Sequence, residues 1–91
     1  MTTVEVTPAD TPHVYDVEVA TDGQRTRHRV TVPTDPAGAG LPDVEPDRLV
    51  RESMAFLLER EPPSAILGEF QLPLIARYFP EYQQELQRRL D

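Results

Sequence analysis

Two histidines are the first residues in this sequence that could do chemistry, because imidazole suits both proton transfer and metal binding near neutral pH. His28 falls on the apolar face of a predicted β-hairpin, and His13 lies in the polar segment before it. They are not spaced as a ligand pair. An enzyme would need His28 in a cleft beside an acid. We expect instead that His28 is a partly buried structural residue and that His13 is solvated.

The carboxylates and serines complete the set of reactive side chains. Asp43, Glu45 and Asp47 precede a predicted helix, and Glu59 and Glu61 flank its end, but neither group has the loop spacing of a calcium site. No serine lies in a G-x-S-x-G motif, cysteine is absent, and no glycine-rich phosphate loop occurs. We therefore predict that the protein is not an enzyme and has no catalytic residue, metal or cofactor.

The amino-acid composition limits the kinds of molecule that the protein is expected to bind. The 91 residues correspond to one small domain, and sixteen acidic residues against nine arginines give a formal charge of −7. Positive surfaces bind nucleic acid and anionic lipid, so we expect neither of them as a partner. No apolar run reaches the length of a membrane span, and the first residues do not have the pattern of a signal peptide. We therefore expect a cytoplasmic protein. All of its basic residues are arginine, which is typical of a GC-rich bacterial genome.

A β-hairpin over residues 14–32 is the clearest element that positions these side chains. Tyr15, Val17 and Val19 alternate with Asp16, Glu18 and Ala20, which is the period of a strand. Asp22-Gly23 is a preferred pair for a type I′ turn, and such a turn fixes the register. Residues 1–13 are predicted to be a tail or an edge strand. The predicted pairs are Thr21 with Gln24, Val19 with Thr26, Val17 with His28, Tyr15 with Val30, Glu18 with Arg27 and Asp16 with Arg29.

Helices are predicted for most of the remaining chain. Pro46 suits the first turn of a helix whose apolar arc is wide enough for contacts on two sides, and Pro62-Pro63 ends that helix. We expect residues 14–91 to form a single α+β domain, in which the hairpin packs on the main helix and two or three short helices follow. The predicted elements are a loop over 33–45, the main helix over 46–60, and short helices over 64–70, 73–79 and 81–90.

Two segments carry a resemblance to known families. The hairpin ends in Val30-Thr31-Val32-Pro33, and the run from Leu49 to Tyr82 reads LVRESMAFLLEREPPSAILGEFQLPLIARYFPEY. Together they resemble a family of small bacterial proteins of unknown function, and this resemblance implies no activity. The order of strand, turn, strand ending in Val-Pro and helix also resembles HicB-type antitoxins. Here the loop is longer, and the glycine-rich segment expected before the helix is missing.

Two surfaces are candidates for binding. Apolar and aromatic residues are concentrated in the C-terminal half, and a core this small cannot bury them all. We expect a non-enzymatic protein–protein interaction or regulatory module, which binds a protein partner or forms a homo-oligomer. The candidate partner surface consists of Leu72, Leu74, Tyr78, Phe79 and Tyr82. The second candidate, an anion-binding or partner-binding strip, consists of Arg25, Arg27 and Arg29, for which an ordinary solvated face is the favoured interpretation.

The alternative function is that of a DNA-binding regulator or antitoxin-like protein. Residues 64–78 have the length and apolar rhythm of a degenerate helix-turn-helix. Its second helix would present Arg77 and few other polar groups to DNA, and the chain as a whole is acidic. We therefore rank this hypothesis below the interaction module.

Overall fold

A mixed four-stranded sheet and three helices make up the α+β fold, which a computed structural model describes for residues 1–90. The predicted fold class is therefore confirmed. The sheet has the order β1-β2-β3-β4. The elements are β1 (Thr3–Pro8), β2 (Val14–Thr21), β3 (Gln24–Thr31), α1 (Pro46–Leu58), β4 (Glu69–Gln71), α2 (Ile75–Tyr78) and α3 (Tyr82–Leu90). Single turns of 3₁₀ helix occur at Ala37–Ala39, Pro63–Ala65 and Leu72–Leu74.

The predicted hairpin is present with its predicted register. Strands β2 and β3 pair antiparallel, and all six predicted pairs occur, including Val17 opposite His28. The predicted turn type is wrong, because Gly23 has a φ of 80° whereas Asp22 has no positive φ. A type I′ turn needs positive φ at both central residues. The register is therefore set by the two-residue length of the turn and by the alternation of the strands.

The N-terminal segment contains an edge strand. Strand β1 pairs antiparallel with β2 and places Val4 opposite Val19 and Val6 opposite Val17. Val4 and Val6 are partly buried against the core, whereas Glu5 between them is exposed. This alternation gives β1 an apolar inner face and a polar outer face.

The helix predicted over residues 64–70 is wrong. After the 3₁₀ turn at Pro63–Ala65, the chain extends into β4, which pairs parallel with β3 and places Phe70 opposite Val30. Phe70 is buried, whereas Glu69 and Gln71 on either side of it are exposed. One apolar residue between two polar ones follows the period of a strand, but three residues are too few to show that period in the sequence.

The same segment does not contain the predicted helix-turn-helix. Within residues 64–78, the only α-helix is α2, which has four residues. The helix predicted over 73–79 is the 3₁₀ turn at Leu72–Leu74 followed by α2. The main helix ends at Leu58, before its predicted end at residue 60, and the Arg60 N–H donates to the Leu57 carbonyl in the tighter i to i−3 pattern. The last helix is found close to its predicted position, as α3.

The core lies between the inner face of the sheet and α1, and the C-terminal segment closes its other side. Helix α1 packs against both β1 and α3, as expected for a helix with a wide apolar arc. Within residues 1–90, no helix is long and apolar enough to cross a bilayer. The core includes Val17, Val19, Val30 and Val32 from the sheet segments, Leu49, Val50, Met54 and Phe56 from α1, and Leu72, Ile75, Tyr82 and Leu86 from the C-terminal part.

Candidate functional site

An apolar groove opens at the surface between the end of α1, the segment before β4, and α2. Its volume is about 220 Å³, and its floor is formed by buried side chains that include Leu57, Phe70 and Ile75. Leu67 and Tyr78 line its rim, with 49% and 65% of their surfaces exposed. Within residues 1–90, Met1 is the other exposed large apolar residue. The groove therefore collects the main exposed apolar surface of the folded chain.

The structure divides the residues predicted to form a partner surface. Tyr78 is exposed, Leu74 and Phe79 are half-buried, and all three line the groove. Leu72 and Tyr82 are fully buried, so their assignment to a surface is corrected and both belong to the core. Tyr82 can be buried because its hydroxyl has a partner inside the protein.

Seven of the ten groove residues escaped prediction, and three of these lie in an extended segment that was predicted to be a helix. Ile66 and Leu67 lie in the extended segment before β4, and Phe70 lies in β4 itself. The adjacent apolar pair followed by Gly68 was the signal that could have marked a turn with an exposed apolar residue.

His28 is hydrogen-bonded to the backbone of the groove rim at Leu67. It is 4% exposed, its Nδ1 lies 2.8 Å from the Leu67 carbonyl oxygen, and its Nε2 lies 2.9 Å from Thr26 Oγ1. A carbonyl oxygen only accepts, so Nδ1–H is the donor, and in the neutral ring Nε2 accepts from the Thr26 hydroxyl. Both ring nitrogens are engaged, as the structural interpretation of His28 predicts. His13 is exposed and has a φ of 67°, with its carbonyl accepting a hydrogen bond from the Val32 N–H.

Glu61 is the charged residue that lines the groove in the described part of the chain. It is half-buried beside apolar walls, and its carboxylate takes part in none of the ion pairs among residues 1–90. A partly desolvated carboxylate gains more from a cation than a fully exposed one does. The groove therefore offers a partner apolar contact and one site for a positive charge.

A network of charged residues joins the end of α1 to α3 beside the groove. Arg89 Nη2 lies 2.6 and 2.7 Å from the two carboxylate oxygens of Glu59, which joins α3 to the end of α1. This hydrogen bond from Arg89 lowers the pKa of Glu59. The Arg60 guanidinium lies 3.7 Å from the centre of the Phe56 ring, and Phe79 packs edge-on against the same ring with centroids 5.9 Å apart. Phe79 is thereby held in place at the groove.

The three arginines of the predicted anion strip lie on the outer face of the sheet beside acids. Two carboxylates face the three arginines, since Arg25 and Arg27 share Glu18, so the arrangement favours a solvated face of weak ion pairs. The distances are 3.1 Å from Arg25 Nε to Glu18, 3.8 Å from Arg27 Nε to Glu18, and 3.1 Å from Arg29 Nε to Asp16.

Neither metal binding nor similarity to known proteins assigns a role to the site. In the part of the chain that the structure describes, no three His, Asp or Glu side chains converge as a metal site would require. Comparison with protein-family models, curated proteins and solved structures finds no match. The resemblances drawn from the run between Leu49 and Tyr82 stay expectations, and function has to be inferred from the groove.

Proposed function

We propose that the protein is a non-enzymatic interaction module, which binds a segment of another protein in the groove between α1 and α2. The exposure of Leu67 and Tyr78 on the rim of one apolar groove is the observation that carries this proposal. Large apolar side chains exposed together are typical of interaction sites, because water contact with them is unfavourable until a partner covers them. The partial burial of Glu61 adds a polar contact that can orient the partner.

A segment of a different protein fits the groove better than a second copy of the chain. Each copy has a formal charge of −7, so two copies repel each other. A typical interface of about 800 Å² per partner would cover roughly one-seventh of the surface of 5583 Å². The groove, at about 220 Å³, accommodates a few side chains. Of the two kinds of partner expected from the sequence, a second copy in a homo-oligomer is therefore less well supported than a different protein.

The other functions considered from the sequence have less support. DNA binding would require a basic surface and a recognition helix, whereas the chain is acidic and α2 has four residues. For catalysis, the groove offers Glu61 and the Tyr78 hydroxyl, while His28 is engaged through both ring nitrogens. The cytoplasmic location stays a prediction from the sequence.

The test is selection of binding peptides from a displayed random library with the purified protein. We expect selected peptides to shift the backbone amide resonances of residues 66–78 in nuclear magnetic resonance spectra. Tyr78→Ser and Leu67→Ser should weaken their binding by at least about tenfold, a loss of about 1.4 kcal/mol. Arg51→Ser is the matched control, because Arg51 is exposed and does not line the groove. Failure to select any peptide, or shifts confined to the outer face of the sheet, would contradict the proposal.

A further inference from the structure

Strand β4 borders the groove and is the outermost strand on its side of the sheet. The Arg29 N–H donates to the Gly68 carbonyl across 2.7 Å, so Gly68 turns its carbonyl toward β3. Backbone groups of successive residues in a strand point to opposite sides, so Glu69 and Gln71 turn theirs away from β3. Within residues 1–90, no turn, loop or cap hydrogen bond uses the backbone of Glu69 or the N–H of Gln71. This edge can accept another strand.

The groove lies where the side chains of an added strand would point. Phe70 is on the inner face of the sheet opposite Val30, and it lines the groove. In a strand next to β4, the residue beside Phe70 would also face inward, toward the space between Leu67 and Tyr78. Its two neighbours would face outward, because side chains alternate along a strand. One extended segment can therefore use the backbone edge and the groove together.

Charges on the outer face define the side chains that such a segment should carry. Across the sheet, Asp16 lies opposite Arg29, and Arg29 lies opposite Glu69, so the charges alternate in sign. A strand added beyond Glu69 continues this alternation with a basic residue, since opposite charges facing each other stabilise neighbouring strands. The carboxylate of Glu61 in the groove and the overall charge of −7 favour the same sign.

We infer that the β4 edge and the groove form one site, which binds an extended segment of another protein as a fifth strand with apolar residues inward and basic residues outward. This inference rests on the proposed function and specifies the partner. A second copy is a poor occupant because both of its open edges carry an acid on the outer face, Glu5 on β1 and Glu69 on β4, so pairing either edge with β4 would bring two acidic edges together. Pairing of β1 on β4 would also repeat from copy to copy and form open fibres.

The probes for this inference are three short synthetic peptides. The first alternates valine and lysine, the second is the same peptide N-methylated at alternate residues, and the third alternates valine and glutamate. N-methylation removes backbone donors while leaving composition and charge unchanged, so it separates strand pairing from attraction between a cation and an acidic protein. We expect the first peptide to bind and the other two to bind at least about tenfold more weakly.

Two protein variants test the same contact from the other side. Gln71→Pro removes an N–H that points away from β3, and the φ of −98° at Gln71 is near the range that proline adopts. Gln71→Ser keeps the N–H and is its control, with circular dichroism to check that each variant folds. Gln71→Pro should weaken binding of the valine–lysine peptide by at least about tenfold. Glu69→Arg should shift preference toward the valine–glutamate peptide.

The outcomes distinguish the two proposals. If peptides bind and lose affinity with Tyr78→Ser, but neither N-methylation nor Gln71→Pro weakens them, the groove is a binding site and strand addition is wrong. If library-selected peptides bind while the valine–lysine peptide does not, the inferred partner chemistry is wrong. If no peptide binds at all, the proposed function itself fails. Should Gln71→Pro not fold, the N-methylated peptide decides the question.

Discussion

The hydroxyl oxygens of Ser53 and Tyr82 lie 2.7 Å apart inside the protein, and both residues are fully buried. One hydroxyl donates and the other accepts, so each satisfies a polar group that would otherwise be buried without a partner. The hydrogen bond joins the middle of α1 to the first residue of α3. It explains how a tyrosine predicted to lie at the surface occupies the core.

Removing both members of this pair should destabilise the protein by less than the sum of the two single removals. Ser53→Ala and Tyr82→Phe should each lower the free energy of unfolding by about 1–3 kcal/mol, because each leaves the other hydroxyl buried without a partner. The double variant should lose less than the sum of the single losses. Urea unfolding of the four proteins measures this coupling, with Tyr78→Phe as the exposed control. Additive losses would show that the two hydroxyls act independently.

Tyr82 should make the protein sensitive to alkaline pH. Burial raises the pKa of Tyr82 from 10.0 to about 12, and the hydrogen bond with Ser53 acts in the opposite direction. Because the folded-state pKa is the higher one, this contribution to stability is complete below about pH 10. It is lost as the pH rises through about 12, and two pKa units correspond to about 2–3 kcal/mol.

Phenolate absorbance during an alkaline titration checks this prediction. Tyr82 should ionise at a pH well above 10, together with unfolding. In Tyr82→Phe, the late step should disappear. Ionisation of Tyr82 near pH 10, with the fold intact, would rule out a sealed environment for Tyr82.

His28 should keep the backbone of the groove rim near Leu67 ordered. His28→Phe keeps an aromatic ring in a buried position but leaves the Leu67 carbonyl and the Thr26 hydroxyl without their partner. The free energy of unfolding should fall by about 1–3 kcal/mol, and the backbone near Leu67 should exchange its amide hydrogens faster. Thr26→Val removes one of the two hydrogen bonds and should have the smaller effect. Unchanged exchange in His28→Phe would show that the rim is held by packing alone.

Acid should weaken the contact between α1 and α3. The hydrogen bond from Arg89 to Glu59, which joins α3 to the end of α1, lowers the pKa of Glu59, and the one from Arg88, within α3, lowers the pKa of Glu85. A lowered folded-state pKa means that the contribution to stability is present above the unfolded pKa and is lost as the pH falls through the folded one. Glu59 is exposed and Glu85 is half-buried at the surface, so the effect should be small and should decrease with added salt.

The Glu59 contact can be tested by comparing urea midpoints at neutral pH and at acidic pH. Glu59→Gln should lower the midpoint at neutral pH and should flatten its dependence on pH below the ordinary glutamate pKa. Arg89→Gln removes the other partner of the same ion pair and should flatten the acid limb in a similar way. An acid limb that is unchanged in both variants would assign it to other carboxylates.

The hairpin could be predicted because all its information is local. Alternation over residues 15–20 and the pair Asp22-Gly23 define both strands and their register. Strand β4 could not be predicted in the same way, because its reason for being extended is Val30 in a distant strand rather than its own three residues. Propensity in so short a segment yields to tertiary pairing.

Groove residues could be predicted where the element that carries them was predicted, and were missed where it was not. Tyr78 and Phe79 could be singled out as a surface candidate because they belong to a dense apolar stretch. Leu67 was missed together with the extended segment that carries it. Tyr82 was misplaced because its partner, Ser53, is on another helix, and sequence gives no indication that two such hydroxyls meet.

The crossover from β3 through α1 to β4 pairs the groove residue Phe70 with Val30, which lies far from it in sequence. Local contacts such as those of the hairpin form early in folding, whereas pairing of distant strands comes late. A chain that emerges from the ribosome has its hairpin and α1 before it has β4 or α2. The groove therefore forms only after β4 and α2 have been synthesised, and a ligand that fits it distinguishes chains that contain these elements from chains that stop before them.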